Sequence, residues 1–167
     1  MTASWYANER DPGWTSEPAS GEAWRFHRSL DGYAPTPLVE LPELARQLDV
    51  GRVFAKDESS RLGLPAFNAL GASWVVHRVL EARDSDASVT IVTATDGNHG
   101  RAVARCARMR GQRSTVVIPG GVHPEAVEAI ADEGAEVIRV DGSYDDAVAA
   151  AAGIAEKPEH VLVQNTA

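Results

Sequence analysis

The sequence contains one cysteine, Cys106, in 167 residues. A single thiol excludes an intrachain disulfide and a multi-cysteine metal site, and it is consistent with a reducing compartment. Lysine is almost as scarce, with Lys56 and Lys157 set against fourteen arginines. Any chemistry that needs an amine nucleophile therefore has two candidates. No run of Lys and Arg occurs and the net charge is -8, which excludes the clustered cations on which nucleic-acid affinity rests. The charge reads instead as a solubility property. No apolar stretch approaches ~18 uncharged residues, so no membrane partner or spanning helix is expected. The amino terminus lacks a basic segment followed by an apolar run, so no secretory signal is read there, and a cytoplasmic location is expected.

What is present suits one compact domain, or one small domain and part of another. The hydrophobic fraction of 44% and charged fraction of 24% are those of an ordinary globular chain. Residues 1–30 mix Trp, Pro, Gly and charge without a stable period and read as an arm. Pro35 and Pro37 then fix φ and remove two donors, forcing an extended or turning segment. Leu41, Leu44 and Leu48 predict a short helix with Pro42 in its first turn. Residues 52–56 read as a strand and 57–65 as a polar loop. Leu70, Trp74, His77 and Leu80, spaced four, three and three, share one face of a helix over 66–83.

Beyond Ala87 the pattern becomes regular: strand 89–94, helix 100–110, strand 114–118, helix 124–133 closed by Gly134, and strand 136–140. Ser143 with Asp146 three residues on resembles a capping box and predicts a helix to about Lys157, followed by strand 160–164. This alternation predicts the fold class, α/β with an open parallel sheet flanked by helices and right-handed crossovers. In such sheets ligand groups collect at the carboxyl ends of the strands.

The sharpest chemical segment is Thr93-Ala94-Thr95-Asp96-Gly97-Asn98-His99-Gly100-Arg101, between a strand and its helix. Gly97 and Gly100 permit a tight turn and close approach to a flat or anionic ligand. Asn98 offers a donor and an acceptor, the helix start adds partial positive charge, and Asp96 is a candidate proton carrier. The pattern is equally met if Asp96 or Asn98 only caps the helix. The segment Lys56-Asp57-Glu58-Ser59-Ser60-Arg61 reads as a solvated charge run. By periodicity Phe67 is a core residue and Asn68 a polar residue in a first helical turn. No Gly-x-Gly-x-x-Gly follows a strand, which disfavours a nicotinamide site.

The motifs Tyr33-x-Pro-Thr-Pro-Leu38, Lys56-Asp-Glu-Ser59, Gly63-Leu-x-Ala-Phe-x-x-Leu-Gly-x-Ser73 and Thr93-Ala-Thr-Asp-Gly-Asn-His-Gly-Arg101 run in unbroken order. The ending Val163-Gln164-Asn165-Thr166-Ala167 joins them. Together they resemble the diaminopropionate ammonia-lyases of the fold-type II, tryptophan-synthase-β-like family of pyridoxal-phosphate enzymes. The resemblance implies a large domain and a small one with pyridoxal phosphate between them. Residues 31–82 would be part of the large domain, 83–160 the small α/β domain, and 161–167 the start of a return to the large one. It implies an amino-acid substrate, 2,3-diaminopropionate, taken to pyruvate and ammonia by α,β-elimination. Asn98 would hydrogen-bond the pyridine 3-oxygen, Phe67 would lie beside the cofactor, and Asp96 would serve as an acid/base group.

Two departures bear on activity. The family's Schiff-base lysine follows the phenylalanine that here is Phe67, so Asn68 occupies its position. Schiff-base formation needs an amine lone pair, and an amide nitrogen's is delocalised into its carbonyl. The family's glycine-rich phosphate loop follows the stretch that corresponds to Ala167. No compact Gly-rich run before it takes that place, Gly120-Gly121 being a strand-to-helix turn. Pro65 and Asn165 also differ from the asparagine and aspartate usual in these lyases. The expectation is a homologue inactive alone. The alternatives are a non-catalytic partner subunit or pseudoenzyme, or one half of a split lyase. Homo-oligomerisation or a complementing carboxy-terminal chain would complete it, and no metal is expected.

Overall fold

The computed structural model describes residues 11–18, 20–83 and 87–164. The chain order is α1 (Glu22–Ser29), β1 (Leu38–Glu40), α2 (Pro42–Gln47), β2 (Phe54–Lys56), a 3-10 turn (Arg61–Gly63), α3 (Asn68–Glu81), β3 (Thr90–Ala94), α4 (Asn98–Met109), β4 (Arg113–Pro119), α5 (Pro124–Ala131), β5 (Glu136–Val140), α6 (Tyr144–Ala155) and β6 (His160–Leu162). β1 and β2 pair antiparallel, Leu38 opposite Lys56. The other four strands form a parallel sheet in the order β5-β4-β3-β6. The expected α/β alternation is thus realised.

Strand periodicity sorts the core into two layers, because successive side chains face opposite ways. Ile91 of β3 and Val116 and Ile118 of β4 face α3, α4 and α5, against Ala72, Val76, Val103, Ala104 and Ile130. Val92, Ala94 and Val117 face the other way, onto Ala147 and Ala151 of α6. The alanines on α4 and α6 let those helices lie close to the sheet. The boundary expected near residue 82 falls between α3 and β3, two elements that share one core.

Three local expectations are corrected. The segment read as an arm contains α1, and its residues 1–10 and 19 lie outside the described residues. The Phe26 ring of α1 stacks on His77 at 4.2 Å and tilts against Trp74 at 5.4 Å, while His27 Nε2 lies 2.8 Å from the Leu70 carbonyl oxygen. The face of Leu70, Trp74, His77 and Leu80 is therefore half-covered by α1, and α3 turns Ala69, Ala72, Ser73 and Val76 into the core instead. Phe67, expected in the core, is 68% exposed.

The third correction concerns the charge run. Arg61 is only 5% exposed. Its Nε donates to Glu58 Oε2 at 2.5 Å and its Nη2 to Glu58 Oε1 at 2.8 Å, a two-pronged pair of the kind Arg and carboxylates favour. It also donates to the Ala34 carbonyl at 2.8 Å and to Thr36 Oγ1 at 2.8 Å, and Lys56 Nζ donates to Thr36 as well. The Arg61 hydrogen bonds hold the Glu58 carboxyl down at about 2 against the opposing effect of burial. The proline segment and the Lys56–Arg61 loop are thus one polar knot that closes the β1–β2 pair.

Candidate functional site

In the order β5-β4-β3-β6 the direction of strand addition reverses at β3. An open parallel sheet leaves a crevice at the carboxyl end of the strands where this happens. The β3–α4 loop, with Thr95, Asp96 and Gly97, lies there, beside Gln164 just past the end of β6.

The loop is held by a residue that the sequence reading passed over. Thr95 Oγ1 accepts the N–H of Gly97 at 3.0 Å and that of Gly100 at 3.1 Å. The helix cap is Gly97, and neither Asp96 nor Asn98 caps it with a side chain. The capping reading of those two residues is therefore excluded. Gly100 has a packing reason. A β-carbon there would stand 2.2 Å from Thr95 Cγ2 and 2.8 Å from Val116 Cγ1, so only glycine lets α4 start this close to the sheet. Asp96 and Asn98 are exposed. Their side chains make no hydrogen bond or ion pair among the described residues, which leaves both free to meet a ligand.

Behind the loop lie two buried polar atoms without partners among the described residues, His99 Nε2 and Gln164 Nε2. Gln164 Oε1 accepts the Ala94 N–H at 3.3 Å, extending the β3–β6 ladder by a side chain. Burial pushes the His99 imidazole below its ordinary pKa, partly offset by the Val163 backbone, so His99 is neutral at pH 7. Buried polar groups normally find partners, and this pair marks the carboxyl edge of β3 and β6 as a place where a polar group would be accommodated. Asn165, next in the chain, lies outside the described residues.

Phe67 and Asn68 sit at the start of α3. The exposed Phe67 ring makes no ring contact, and the half-buried Asn68 carboxamide makes no hydrogen bond, among the described residues. Neither side chain is bonded to Asp96 or Asn98; the four residues form two pairs on the starts of two helices packed together through Ala72 and Val103. Of the two lysines, Lys56 is spent on Thr36 and lies 3.5 Å from Glu58. Lys157 is in the turn before β6, at the opposite end of that strand from Gln164. No lysine amine thus belongs to the crevice. The other helices starting at this edge have acidic first turns, which disfavour a phosphate: α5 is capped by its own His123 and carries Glu125 there, and α6 is capped by Ser143 and carries Asp145 and Asp146. No group of three or more possible metal ligands occurs among the described residues, and no helix there is long and apolar enough to cross a membrane.

A second buried centre braces α4. Glu133, 3% exposed, accepts from Arg105 at 2.6 and 3.0 Å, from Arg108 at 2.8 Å and from Arg101 at 3.4 Å. Burial raises this carboxyl, but the arginines override it and hold it at about 2. Arg105 also donates to the Gly63 carbonyl at 2.9 Å, so one carboxylate ties α4 to the end of α5 and, through Arg105, to the loop that leads into Phe67 and Asn68. The signal was legible: Arg101, Arg105 and Arg108, spaced four and three, share one helix face.

A parallel α/β sheet with a glycine-shaped loop and free polar side chains at its reversal point is the small-domain arrangement of fold-type II pyridoxal-phosphate enzymes. Residues 29–167 match the family model described as pyridoxal-phosphate dependent enzyme, and the chain belongs to that family. Within it, the chain is 38% identical over 160 residues to diaminopropionate ammonia-lyase of Escherichia coli (strain K12), a match covering 87% of this chain and 40% of that protein. The crystal structure of the Escherichia coli diaminopropionate ammonia lyase in apo form superimposes with a TM-score of 0.78 at 40% identity, covering 87% of this chain and 42% of that one. A threonine synthase from Bacillus sp. (strain ULM1) is 32% identical over 132 residues, covering 78% of this chain and 36% of that protein. The chain thus spans about 40% of the length of its ammonia-lyase relatives.

For pyridoxal phosphate the fit is partial. The free Asn98 amide and the exposed Phe67 ring suit contacts to a flat heteroaromatic ring. A covalent anchor does not fit the crevice as described, because both lysines lie elsewhere. No glycine-rich cradle for the phosphate occurs at the sheet edge among the described residues.

Proposed function

We propose that this 167-residue chain is a non-catalytic homologue of diaminopropionate ammonia-lyase, inactive by itself in converting 2,3-diaminopropionate to pyruvate and ammonia. The reading rests on one observation: the first residue of α3 is Asn68, and neither lysine reaches the crevice. An amide can neither exchange a carbonyl-bound amine nor remove an α proton. General acid–base groups contribute on the order of 10²–10⁴-fold each, so one residue with both roles is a severe loss. Asp96 and Asn98 remain, in this reading, as ligand-facing groups without the amine that would make them catalytic, and binding of the cofactor is non-covalent and weak.

The test is to incubate the purified chain with pyridoxal phosphate, record the absorbance of an internal aldimine, reduce with borohydride and map the peptides. No aldimine band and no pyridoxylated lysine are expected. Stoichiometric label on Lys56 or Lys157 refutes the reading.

A second reading, a subunit that works in association, is favoured by the β1–β2 pair. Leu38, Val39 and Phe54 are all exposed there, and an isolated two-stranded ribbon is marginal in water. A carboxy-terminal partner chain, or a second copy, would cover it in the cytoplasm. Lyase activity on mixing with a chain that supplies a lysine and a phosphate loop would identify a split enzyme. A stoichiometric complex without activity would identify a pseudoenzyme partner.

A further inference from the structure

A cavity of about 100 Å³, partly open to solvent, lies between α1, the 3-10 turn, α3 and the far end of α4. It is separate from the crevice: it uses α4 from Arg105 onward, about 10 Å along the axis from Asn98, and none of Phe67, Asn68, Asp96 or Asn98 lines it. Its walls are apolar, chiefly Leu30, Leu62, Leu64, Val76 and Met109. The Cys106 thiol joins them as an apolar group, since burial pushes it up to about 11 and keeps it protonated.

Two charged residues interrupt this lining without neutralising one another. Asp31 and Arg110 both border the cavity, and neither side chain makes an ion pair, hydrogen bond or ring contact among the described residues. The remaining polar groups are committed, Arg105 to Glu133 and Gly63 and Ser73 Oγ to the Leu70 carbonyl. One free anion and one free cation at the mouth of an apolar cavity match a zwitterion with an apolar tail. We propose that this cavity binds a free apolar α-amino acid, its carboxylate on Arg110, its ammonium on Asp31 and its side chain among Leu30, Leu62, Leu64 and Val76. Arg gives planar recognition of a carboxylate, and Met109, unbranched and polarizable, adapts the lip to side chains of different shape. The inference is independent of whether the crevice holds a cofactor.

The test is titration calorimetry of the full chain with L-leucine, L-methionine and L-phenylalanine, with glycine and 4-methylpentanoate as probes lacking the tail or the ammonium. One-to-one binding of at least one apolar amino acid is expected. Arg110→Ala and Asp31→Asn, both at exposed positions, should each weaken it about tenfold, and the two control probes should bind at least as poorly. Because Cys106 is the sole cysteine and lines the cavity, the bound amino acid should also slow its alkylation by N-ethylmaleimide. Absence of binding up to ~10 mM, equal binding of 4-methylpentanoate, affinity unchanged in both variants, or binding that leaves Cys106 alkylation unaltered would each overturn the assignment.

Discussion

Replacing Glu133 by Gln tests whether one buried carboxylate organises α4. The amide keeps the shape but removes the charge that three guanidiniums share. The gap between the ordinary glutamate value of 4.5 and about 2 in the folded chain corresponds to roughly 3 kcal/mol. That agrees with the ~3–5 kcal/mol lost when one partner of a buried pair is removed. The folded carboxyl lies below its unfolded value, so its contribution is complete above about pH 4.5 and is lost as the pH falls toward 2. Glu133→Gln should therefore lose roughly 3 kcal/mol at pH 7, and the difference from the parent should close in acid. Glu58, also held at about 2, is common to both proteins and cancels in the comparison. Urea denaturation followed by tryptophan fluorescence, to which Trp74 contributes from its packing against Phe26 and His77, reads the effect. With a slope of ~1–3 kcal/mol/M the midpoint should fall by one to three molar at pH 7. Denaturation midpoints that stay parallel from pH 7 to pH 2.5 would refute the assignment of the acid-sensitive stability to this residue.

Other substitutions address the crevice. Thr95→Val keeps the volume but strands the Gly97 and Gly100 N–H groups, at a cost of about 1–3 kcal/mol, and amide exchange at those two residues should accelerate. Gly100→Ala forces a β-carbon into Thr95 and Val116 and should cost about 1–3 kcal/mol in thermal or urea denaturation, with α4 displaced from the sheet. Asn68→Lys should leave stability nearly unchanged, since the native amide makes no hydrogen bond among the described residues. Ammonia release from diaminopropionate should stay at background in that variant, because no glycine-rich phosphate cradle accompanies the new amine among the described residues; robust turnover would show that the lysine alone is limiting.

The regular half of the chain was legible because its signals are local. Strand 89–94 is a buried run rich in Val and Ile, and Val137, Ile138 and Val140 mark strand 136–140; Gly134, expected to close a helix, has φ +86°; and Ser143 and Asp146 form both halves of the capping box. The legibility failed wherever a partner distant in sequence decides the outcome. A helix as short as α1 is marginal in isolation, and it exists against α3 through Phe26, whose partners Trp74 and His77 lie some fifty residues on. The run from Lys56 to Arg61 looks solvated until Thr36 and Ala34 are brought beside it. At the crevice, Asp96 and Asn98 have side chains better known as caps than Thr95. The loop nonetheless places Gly97 at the cap and turns the Thr95 hydroxyl inward, which leaves the two stronger formers facing solvent.

These assignments divide the family motifs into two kinds. The Pro35-Thr36-Pro37 and Lys56-Asp57-Glu58 segments, Thr95, Gly100 and Gln164 are tied into the fold by hydrogen bonds or by contacts too close for another side chain, so changing them disturbs the structure whatever the chemistry. Phe67, Asn68, Asp96 and Asn98 carry no such ties among the described residues, and on the proposed function they are the groups left to meet a ligand. Position 68 belongs to the second kind. A lysine there can give way to an amide at almost no cost in folding, and the chain still superimposes on an ammonia-lyase with a TM-score of 0.78. Stability and chemistry are thus separable at this position, and similarity of fold carries no information about whether the amine is still there. On the proposed function, the loss of catalysis rests on one side chain.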